Sequence, residues 1–179
     1  MNKYATELKL PFKLHIDEST LNFSRIQNRF KPELIDKEFT DWLREEMGVA
    51  IHWCEVLCLT PGNSYPIHVD GEAYDRLDKG KLNYIVGGAG SEMVWYEDTE
   101  DMQAELNSTG KPMISGKEGI QEIYRKELSG FAIVNAGILH TVINKDKHRY
   151  CLTCSVTDAV SGKRLTYTEL YEKFNGYIK

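Results

Sequence analysis

Residues 49–70 read VAIHWCEVLCLTPGNSYPIHVD, and this segment indicates the kind of fold. Its first part, Val49 to Thr60, is rich in residue types that favour β-strands. It ends at Pro61-Gly62-Asn63, a combination that marks a turn. The stretch closes on His68 and Asp70, an imidazole and a carboxylate two residues apart. A β-rich region therefore begins here, and it carries polar side chains of the metal-binding types.

Further β-rich runs follow this stretch and are separated by turn residues such as Gly87-Gly88-Ala89-Gly90. Many short strands with turns between them favour a sandwich or barrel over a parallel βαβ sheet. We therefore predict a mainly β fold with flanking helices, a double-stranded β-helix of the jelly-roll, cupin-like type. The predicted strands are Tyr65 to Val69, Leu82 to Val86, Met93 to Tyr96, Ile120 to Tyr124, Phe131 to Asn135, Thr141 to Ile143 and Arg149 to Val156.

No repeat or linker divides the chain, so residues 1–179 are predicted to form one domain. Its jelly-roll core is expected over 49–158, with 1–48 as a supporting segment of strand and helix. The residues 164–176 are expected to form a closing helix, since apolar side chains recur there at helical spacing.

The supporting segment has two predicted elements. Leu8 to Ile16 alternates roughly between polar and apolar residues and contains Pro11, which suits an edge strand. Pro32 can open a helix, and Gly48 can end it. The apolar stripe of this helix is formed by Leu34, Ile35, Phe39, Trp42, Leu43 and Met47.

Composition excludes several classes of protein. The 179 residues include 22 Lys and Arg against 27 Asp and Glu, a net charge of −5, so no general basic field attracts nucleic acid or anionic lipid. No run of about 18 apolar residues is present to span a membrane. Met1 to Lys13 lacks the apolar core of a signal peptide, which predicts a cytoplasmic protein. The oligomeric state is left open.

Four cysteines form two close pairs, Cys54 with Cys58 and Cys151 with Cys154. Two such pairs can be halves of a zinc site. However, each pair lies in an apolar run without a turn, and residues 151 and 154 of one strand point to opposite faces. Buried free thiols are therefore the favoured interpretation.

Three residues have the chemistry of a metal site. On a strand, His68 and Asp70 would point to the same face and reach one ion. His140, which follows another predicted strand and a turn, is the best candidate for a third ligand. Two imidazoles and one carboxylate are the ligand set of non-haem iron(II) sites that keep coordination positions open. The remaining histidines, His15, His52 and His148, are predicted to be structural or exposed.

Arg149 is the second part of the predicted site. A guanidinium can bind a carboxylate through two parallel hydrogen bonds and stays charged at working pH. By alternation Arg149, Cys151 and Thr153 share one face of a strand, so Thr153 would line the same pocket. The Tyr84 hydroxyl is a candidate second donor to that carboxylate. This interpretation predicts that the pocket takes a dicarboxylic acid.

Each of these residues alone has a simpler explanation. A lone His-x-Asp often lies on a surface loop, and a lone His140 is more often structural. Arg149 has the charged neighbours Lys145 and Lys147, which suit a surface position. Their order, spacing and strand context together favour the site. Two polar segments that flank it in sequence, 71–80 and 97–118, are predicted lids or substrate loops.

The segment from Pro61 to Gly71, PGNSYPIHVDG, resembles the metal-binding segment of prolyl hydroxylases of the hypoxia-inducible-factor type, in the 2-oxoglutarate/Fe(II) dioxygenase superfamily. His140-Thr141-Val142 followed by the run from Arg149 to Thr153 resembles the second half of that site. Tyr84, sixteen residues after His68, and Tyr65 also have counterparts in the family. The segment from Leu82 to Tyr96 is similar to uncharacterised phage-encoded members, for which the location would be the host cytoplasm.

The resemblance implies iron(II), 2-oxoglutarate, O2 and ascorbate-assisted turnover. His68, Asp70 and His140 would hold the iron, and Arg149 with Tyr84 would bind the 5-carboxylate of 2-oxoglutarate. Tyr65 and Thr153 would line the pocket. A small-molecule or peptide substrate, such as a peptidyl proline, would be hydroxylated with release of succinate and CO2. The resemblance is weak over 1–50 and 97–128, so the substrate is left open.

Two other functions compete with this one. Asn135 to Asn144 resembles the second motif of cupins, but Asp70 stands where a cupin has a histidine, and Glu72 is spaced wrongly for its glutamate. A cupin would also have no need of Arg149. Alternatively, the chain is a non-catalytic binding or virion-associated module of the same fold, because intact ligands do not prove a reaction.

Overall fold

Antiparallel β-sheets are the main regular structure of this protein, as its computed structural model shows. The structure describes residues 1–17, 19, 21–22, 26–70, 79–97, 105–106, 112–113 and 120–179. The strands are β1 (Ala5–Glu7), β2 (Gln27–Phe30), β3 (Val49–Leu59), β4 (Gly80–Gly87), β5 (Glu92–Tyr96), β6 (Glu105–Leu106), β7 (Pro112–Met113), β8 (Glu122–Glu127), β9 (Gly130–Asn135), β10 (His140–Ile143) and β11 (Arg149–Asp158). The helices are α1 (Lys37–Glu45) and α2 (Tyr167–Lys173).

Two of the sheets enclose the site. The larger has the strand order β1-β9-β4-β11-β3-β2, and the smaller has the order β10-β5-β8. Single bridges from Ser64 to Ile143 and from His68 to His140 extend the free edge of the smaller sheet beyond β10. The strands β6 and β7 pair with each other.

Apolar side chains from both sheets meet between them. Ile85 and Val134 of the larger sheet form one buried cluster with Met93, Trp95 and Val142 of the smaller sheet. The two sheets therefore pack face to face, as in a sandwich. This arrangement confirms the predicted mainly β, jelly-roll fold class.

The two helices cover the other face of the larger sheet. Phe39 and Leu43 of α1 and Leu170 of α2 pack in one cluster with Leu152 of β11. The Asp36 side chain caps α1 by accepting a hydrogen bond from the Glu38 N–H at 2.9 Å. The inner strands of the larger sheet are thus buried on both faces. No helix in the described part of the chain is long and apolar enough to cross a membrane.

The predicted strands of the core agree with the observed ones to within a few residues, but the flanks differ. The first strand is Ala5–Glu7 and lies before the predicted Leu8 to Ile16, of which Leu8 alone makes a bridge. Tyr65 to Val69 forms one bridge, at His68, and no strand, because Pro66 has no N–H for a ladder.

Both predicted helices are present, with shorter bounds than expected. The helix predicted from Pro32 begins at Lys37, after a short 3-10 turn, and the closing helix occupies Tyr167–Lys173. The predicted lid segments, 71–80 and 97–118, lie almost entirely outside the described residues. All four cysteines are buried free thiols, as expected: Cys54, Cys58, Cys151 and Cys154.

Candidate metal centre and its pocket

Backbone hydrogen bonds bring the three predicted metal ligands together. The His68 N–H donates to the His140 carbonyl, and the His140 N–H donates to the His68 carbonyl, both at 2.9 Å. The Asp70 N–H donates to the carbonyl of Ala136, in the turn between β9 and β10, also at 2.9 Å. The segment that carries His68 and Asp70 is therefore held against the start of β10, where His140 lies. The pair was expected on a strand, but His68 forms a single bridge.

The imidazoles present the same nitrogen to the centre of the cluster. Nδ1 of His68 lies 2.9 Å from the carbonyl oxygen of Pro66, and Nδ1 of His140 lies 2.7 Å from that of Ile138. A carbonyl oxygen only accepts, so both Nδ1 atoms carry a proton, and in the neutral imidazole each Nε2 has the lone pair that a metal ion needs. Metal-binding histidines commonly use such a backbone acceptor to fix the tautomer and the ring orientation.

The Asp70 carboxylate completes the cluster. Its Oδ1 lies 3.4 Å from the His68 Nε2. One possible ligand atom from each of His68, Asp70 and His140 lies within 4.8 Å of the others. The cluster is well shielded from solvent, since the side chains of His68 and Asp70 are 7% and 14% exposed.

The electrostatics favour the metal-binding protonation states of His140 and Asp70. Burial, with the neighbouring His68, lowers the pKa of His140 to about 3, so its imidazole is neutral at pH 7. Burial alone would raise the pKa of the Asp70 carboxyl. The Lys81 ammonium and His68 outweigh that effect and hold the pKa well below its usual range.

The donor set fits a transition-metal ion. Two imidazole nitrogens and one carboxylate oxygen on one side of an ion leave its other positions open, which is the pattern of non-haem iron(II) sites. The described residues contain no other group of three His, Cys, Asp or Glu side chains that could hold a metal ion. His15, His52 and His148 are exposed and away from the cluster, as predicted.

A pocket adjoins the cluster between the two sheets. All three candidate ligands line it, and so do Arg149 and Thr153 of β11, as alternation along that strand predicts. Tyr65 lines it as well, and its hydroxyl accepts a hydrogen bond from the Gln27 Nε2 at 2.8 Å. Burial, together with the charges of Asp70 and Glu55, raises the Tyr65 pKa, so the phenol stays protonated.

Arg149 is a buried cation for which the described residues provide no carboxylate partner. Its exposed fraction is 4%, and no described carboxylate lies within 4 Å of its guanidinium. Burial lowers its pKa, but a guanidinium remains charged under all ordinary conditions. A buried, unpaired charge is costly. The pocket therefore offers a position for an anion beside Arg149.

The backbone around Arg149 is fixed in place. A Cβ at Gly88 would lie 2.6 Å from the Arg149 Cβ, and Gly88 has a φ of +61°, so both space and conformation require glycine there. The loop before Arg149 is tied by Asn144. The Asn144 side-chain amide donates to the carbonyls of Leu59, Thr60 and Lys147 and accepts from the Ser91 hydroxyl.

Tyr84 does not reach the pocket, which contradicts the prediction that its hydroxyl shares a carboxylate with Arg149. Its ring packs against Phe131 at 4.6 Å between centroids, in the cluster beneath the helices. Alternation along β4 turns Lys81 and Asn83 into the pocket instead. In the sequence, Lys81 and Asn83 could be recognised as two polar residues that alternate with Leu82 and Tyr84.

Three buried polar residues of the pocket are not among the residues predicted from the sequence. Lys81, Asn83 and Glu55 are between 5% and 6% exposed. Asn83 and Glu55 flank Thr153 in register on the neighbouring strands. The Asn83 Oδ1 has no hydrogen-bond partner among the described residues, which leaves an acceptor for a water molecule or a ligand in the pocket.

The chain has little detectable similarity to known protein families and curated proteins. No protein-family model matches the chain, and no curated protein matches it. Among solved structures, the chain is similar to an oxidoreductase of the 2OG-Fe(II) oxygenase family from Burkholderia pseudomallei, with a TM-score of 0.40 and 16% identity. The match covers 72% of this chain and 55% of that one, so this chain spans little more than half the length of that protein. No property of that enzyme is carried over at this level of similarity.

Proposed function

We propose that this protein is an Fe(II)- and 2-oxoglutarate-dependent dioxygenase that hydroxylates a small-molecule or peptide substrate. One observation carries the proposal: the pocket that contains the His68, Asp70 and His140 cluster also contains a buried Arg149 with no described carboxylate partner. A metal-binding cluster and an anion-binding group in one pocket suit a ligand that is a chelator at one end and a carboxylate at the other.

The ligand 2-oxoglutarate has both features. Its 2-oxo acid end can chelate a metal ion, and its 5-carboxylate can accept two parallel hydrogen bonds from Arg149. The Thr153 hydroxyl, on the same face of β11, is a further donor beside that carboxylate. Arg149 and Thr153 would thus set the orientation of the co-substrate.

Iron(II) held by His68, Asp70 and His140 would supply O2 activation, in which 2-oxoglutarate and O2 yield succinate and CO2 and one oxygen atom enters a C–H bond of the substrate. The protein positions the reactants and excludes water. The lining of the pocket includes apolar side chains, among them Met93 and Val142, beside its polar residues. Ascorbate as an aid to turnover, a peptidyl proline as substrate and a cytoplasmic location belong to the same proposal.

The structure offers one reason to prefer this function to a cupin. A cupin needs its metal ligands but has no use for a buried arginine in the same pocket. Asn144 is part of the cupin-like motif, and its side-chain amide donates hydrogen bonds that hold the loop before Arg149.

The test is succinate formation. Purified protein is loaded with Fe(II) under nitrogen, mixed with 2-oxoglutarate and then exposed to O2, and succinate is quantified. We expect slow succinate release even without a substrate, and none from protein treated with a chelator. In parallel, 2-oxoglutarate binding is measured calorimetrically with Mn(II) in place of iron.

The two measurements separate the competing functions. Binding of 2-oxoglutarate without succinate formation would indicate a non-catalytic module of this fold. Metal binding without 2-oxoglutarate binding would favour a cupin-type protein. Absence of metal binding would overturn the proposed function altogether.

A further inference from the structure

Lys81 is buried beside the metal cluster. It is the second residue of β4, and its Nζ lies 2.5 Å from the Oδ2 of Asp70. The two side chains are 7% and 14% exposed. Lysine is almost never buried unless it is paired, and a buried pair of this kind does not by itself stabilise a fold. Fold stability alone therefore does not explain this pair, and its position beside the metal cluster indicates a function there.

The two oxygens of the Asp70 carboxylate have different neighbours. Oδ1 faces the cluster and lies 3.4 Å from the His68 Nε2, while Oδ2 is held by Lys81. A carboxylate can bind a metal ion through one oxygen or through both. With Lys81 on Oδ2, one oxygen is left for the metal.

Lys81 is itself held firmly. Its backbone pairs with Ser155 of β11 on one side and with Val134 of β9 on the other, inside the larger sheet. At the preceding residue, Gly80, a Cβ would lie 2.5 Å from the Leu170 Cδ1 and 2.7 Å from the Thr166 carbonyl oxygen. The start of β4 is thus packed tightly beneath α2, and the ammonium extends from a rigid base.

We propose that Lys81 is a positioning residue that keeps Asp70 a one-oxygen ligand and thereby keeps open the metal positions that the co-substrate needs. This inference rests on the proposed function. Without Lys81, Oδ2 is free to turn onto the metal ion as a second ligand atom, and the carboxylate then occupies a position required by a chelating 2-oxo acid.

A different role makes an opposite prediction. If Lys81 only fills a cation site in the metal-free protein, it competes with the metal. Its removal would then tighten metal binding and leave co-substrate binding unchanged. The positioning role predicts little change in metal affinity and a large loss of co-substrate affinity.

The experiment compares four variants with the wild-type protein. Lys81→Met and Lys81→Gln remove the charge, and the shorter glutamine falls short of Oδ2. Lys81→Arg keeps a cationic donor. Lys126→Met is the matched control, because Lys126 lies outside the pocket and is paired with Glu7 at 3.7 Å. Folding of each variant is checked by circular dichroism.

Three quantities are measured for each variant: Co(II) affinity, the visible absorption spectrum of the Co(II) protein, and 2-oxoglutarate affinity of the Mn(II) protein. For Lys81→Met and Lys81→Gln we expect Co(II) affinity within about threefold of wild type, an altered Co(II) spectrum and at least tenfold weaker 2-oxoglutarate binding. For Lys81→Arg we expect both affinities within about threefold of wild type and an unchanged Co(II) spectrum. We expect the same of Lys126→Met.

These measurements distinguish a failure of the positioning role of Lys81 from a failure of the proposed function. An unchanged Co(II) spectrum with unchanged 2-oxoglutarate affinity, or tighter Co(II) binding alone, would overturn the positioning role. If Lys81→Met does not fold, Lys81→Gln gives the answer. If the wild-type Mn(II) protein does not bind 2-oxoglutarate, the proposed function fails, and the Co(II) spectra still report whether Lys81 controls the Asp70 carboxylate.

Discussion

His68 and His140 exchange two backbone hydrogen bonds of 2.9 Å, and their imidazole centroids lie 4.4 Å apart. This reciprocal bridge fixes the separation of the two side chains before any ion binds. Each Nδ1 is also held by a nearby carbonyl oxygen. The candidate metal centre is therefore largely preformed, and single substitutions in it should have sharp effects.

Asp70→Ala is expected to abolish metal binding at micromolar concentrations, because it removes the anionic ligand and leaves the buried Lys81 ammonium without its partner. Calorimetric titration with Mn(II) measures the effect. His52→Ala, a change of an exposed histidine, is the control and should bind as wild type. Unchanged Mn(II) binding by Asp70→Ala would remove Asp70 from the site.

Arg149→Gln is expected to weaken 2-oxoglutarate binding roughly 10- to 100-fold while metal binding stays intact, since hydrogen bonds to a charged group contribute about 1.5–3 kcal/mol each. The affinities are measured on the Mn(II) protein. Arg44→Gln, on the exposed side of α1, is the matched control. Equal 2-oxoglutarate affinity in the two variants would show that Arg149 does not bind the co-substrate.

Tyr84→Phe is expected to leave 2-oxoglutarate affinity within about twofold of wild type, because the Tyr84 ring packs beneath the helices, away from the pocket. Tyr84→Ala should lower the free energy of unfolding by about 3–5 kcal/mol, as for other large aromatic truncations in a core. Titration calorimetry and urea unfolding measure the two effects. A tenfold loss of co-substrate affinity in Tyr84→Phe would place the hydroxyl in the site after all.

The stability of the metal-free protein should decrease as the pH falls from about 6.5 toward about 3. The pKa of His140 is lowered from 6.5 to about 3 in the folded protein, so within this window the unfolded chain binds a proton that the folded one does not. The free energy of unfolding then falls by up to about 1.4 kcal/mol per pH unit.

Urea unfolding at several pH values, with a chelator present, measures this slope. His140→Gln is the comparison, because it removes the titrating group. Its free energy of unfolding should depend less on pH between about 6.5 and about 4. Parallel curves for the two proteins would show that His140 is not the group responsible.

The class of fold and most of the candidate site follow from the pattern of residues. Short β-rich runs separated by turns placed the strands of the two sheets. The two-residue period of a strand put Arg149 and Thr153 on one face, as the structure has them. The residue types of His68, Asp70 and His140 pointed to one metal site, because few side chains offer that set of donors.

The face of β4 that meets the pocket depends on three-dimensional packing. Alternation separates Lys81 and Asn83 from Tyr84, but it does not say which set points inward. The strand from Gly80 to Ile85 is buried on both faces, one against the smaller sheet and the other against the helices. Hydrophobicity therefore gives no sign of direction there, and long-range packing alone brought Lys81 to Asp70 and took Tyr84 away from Arg149.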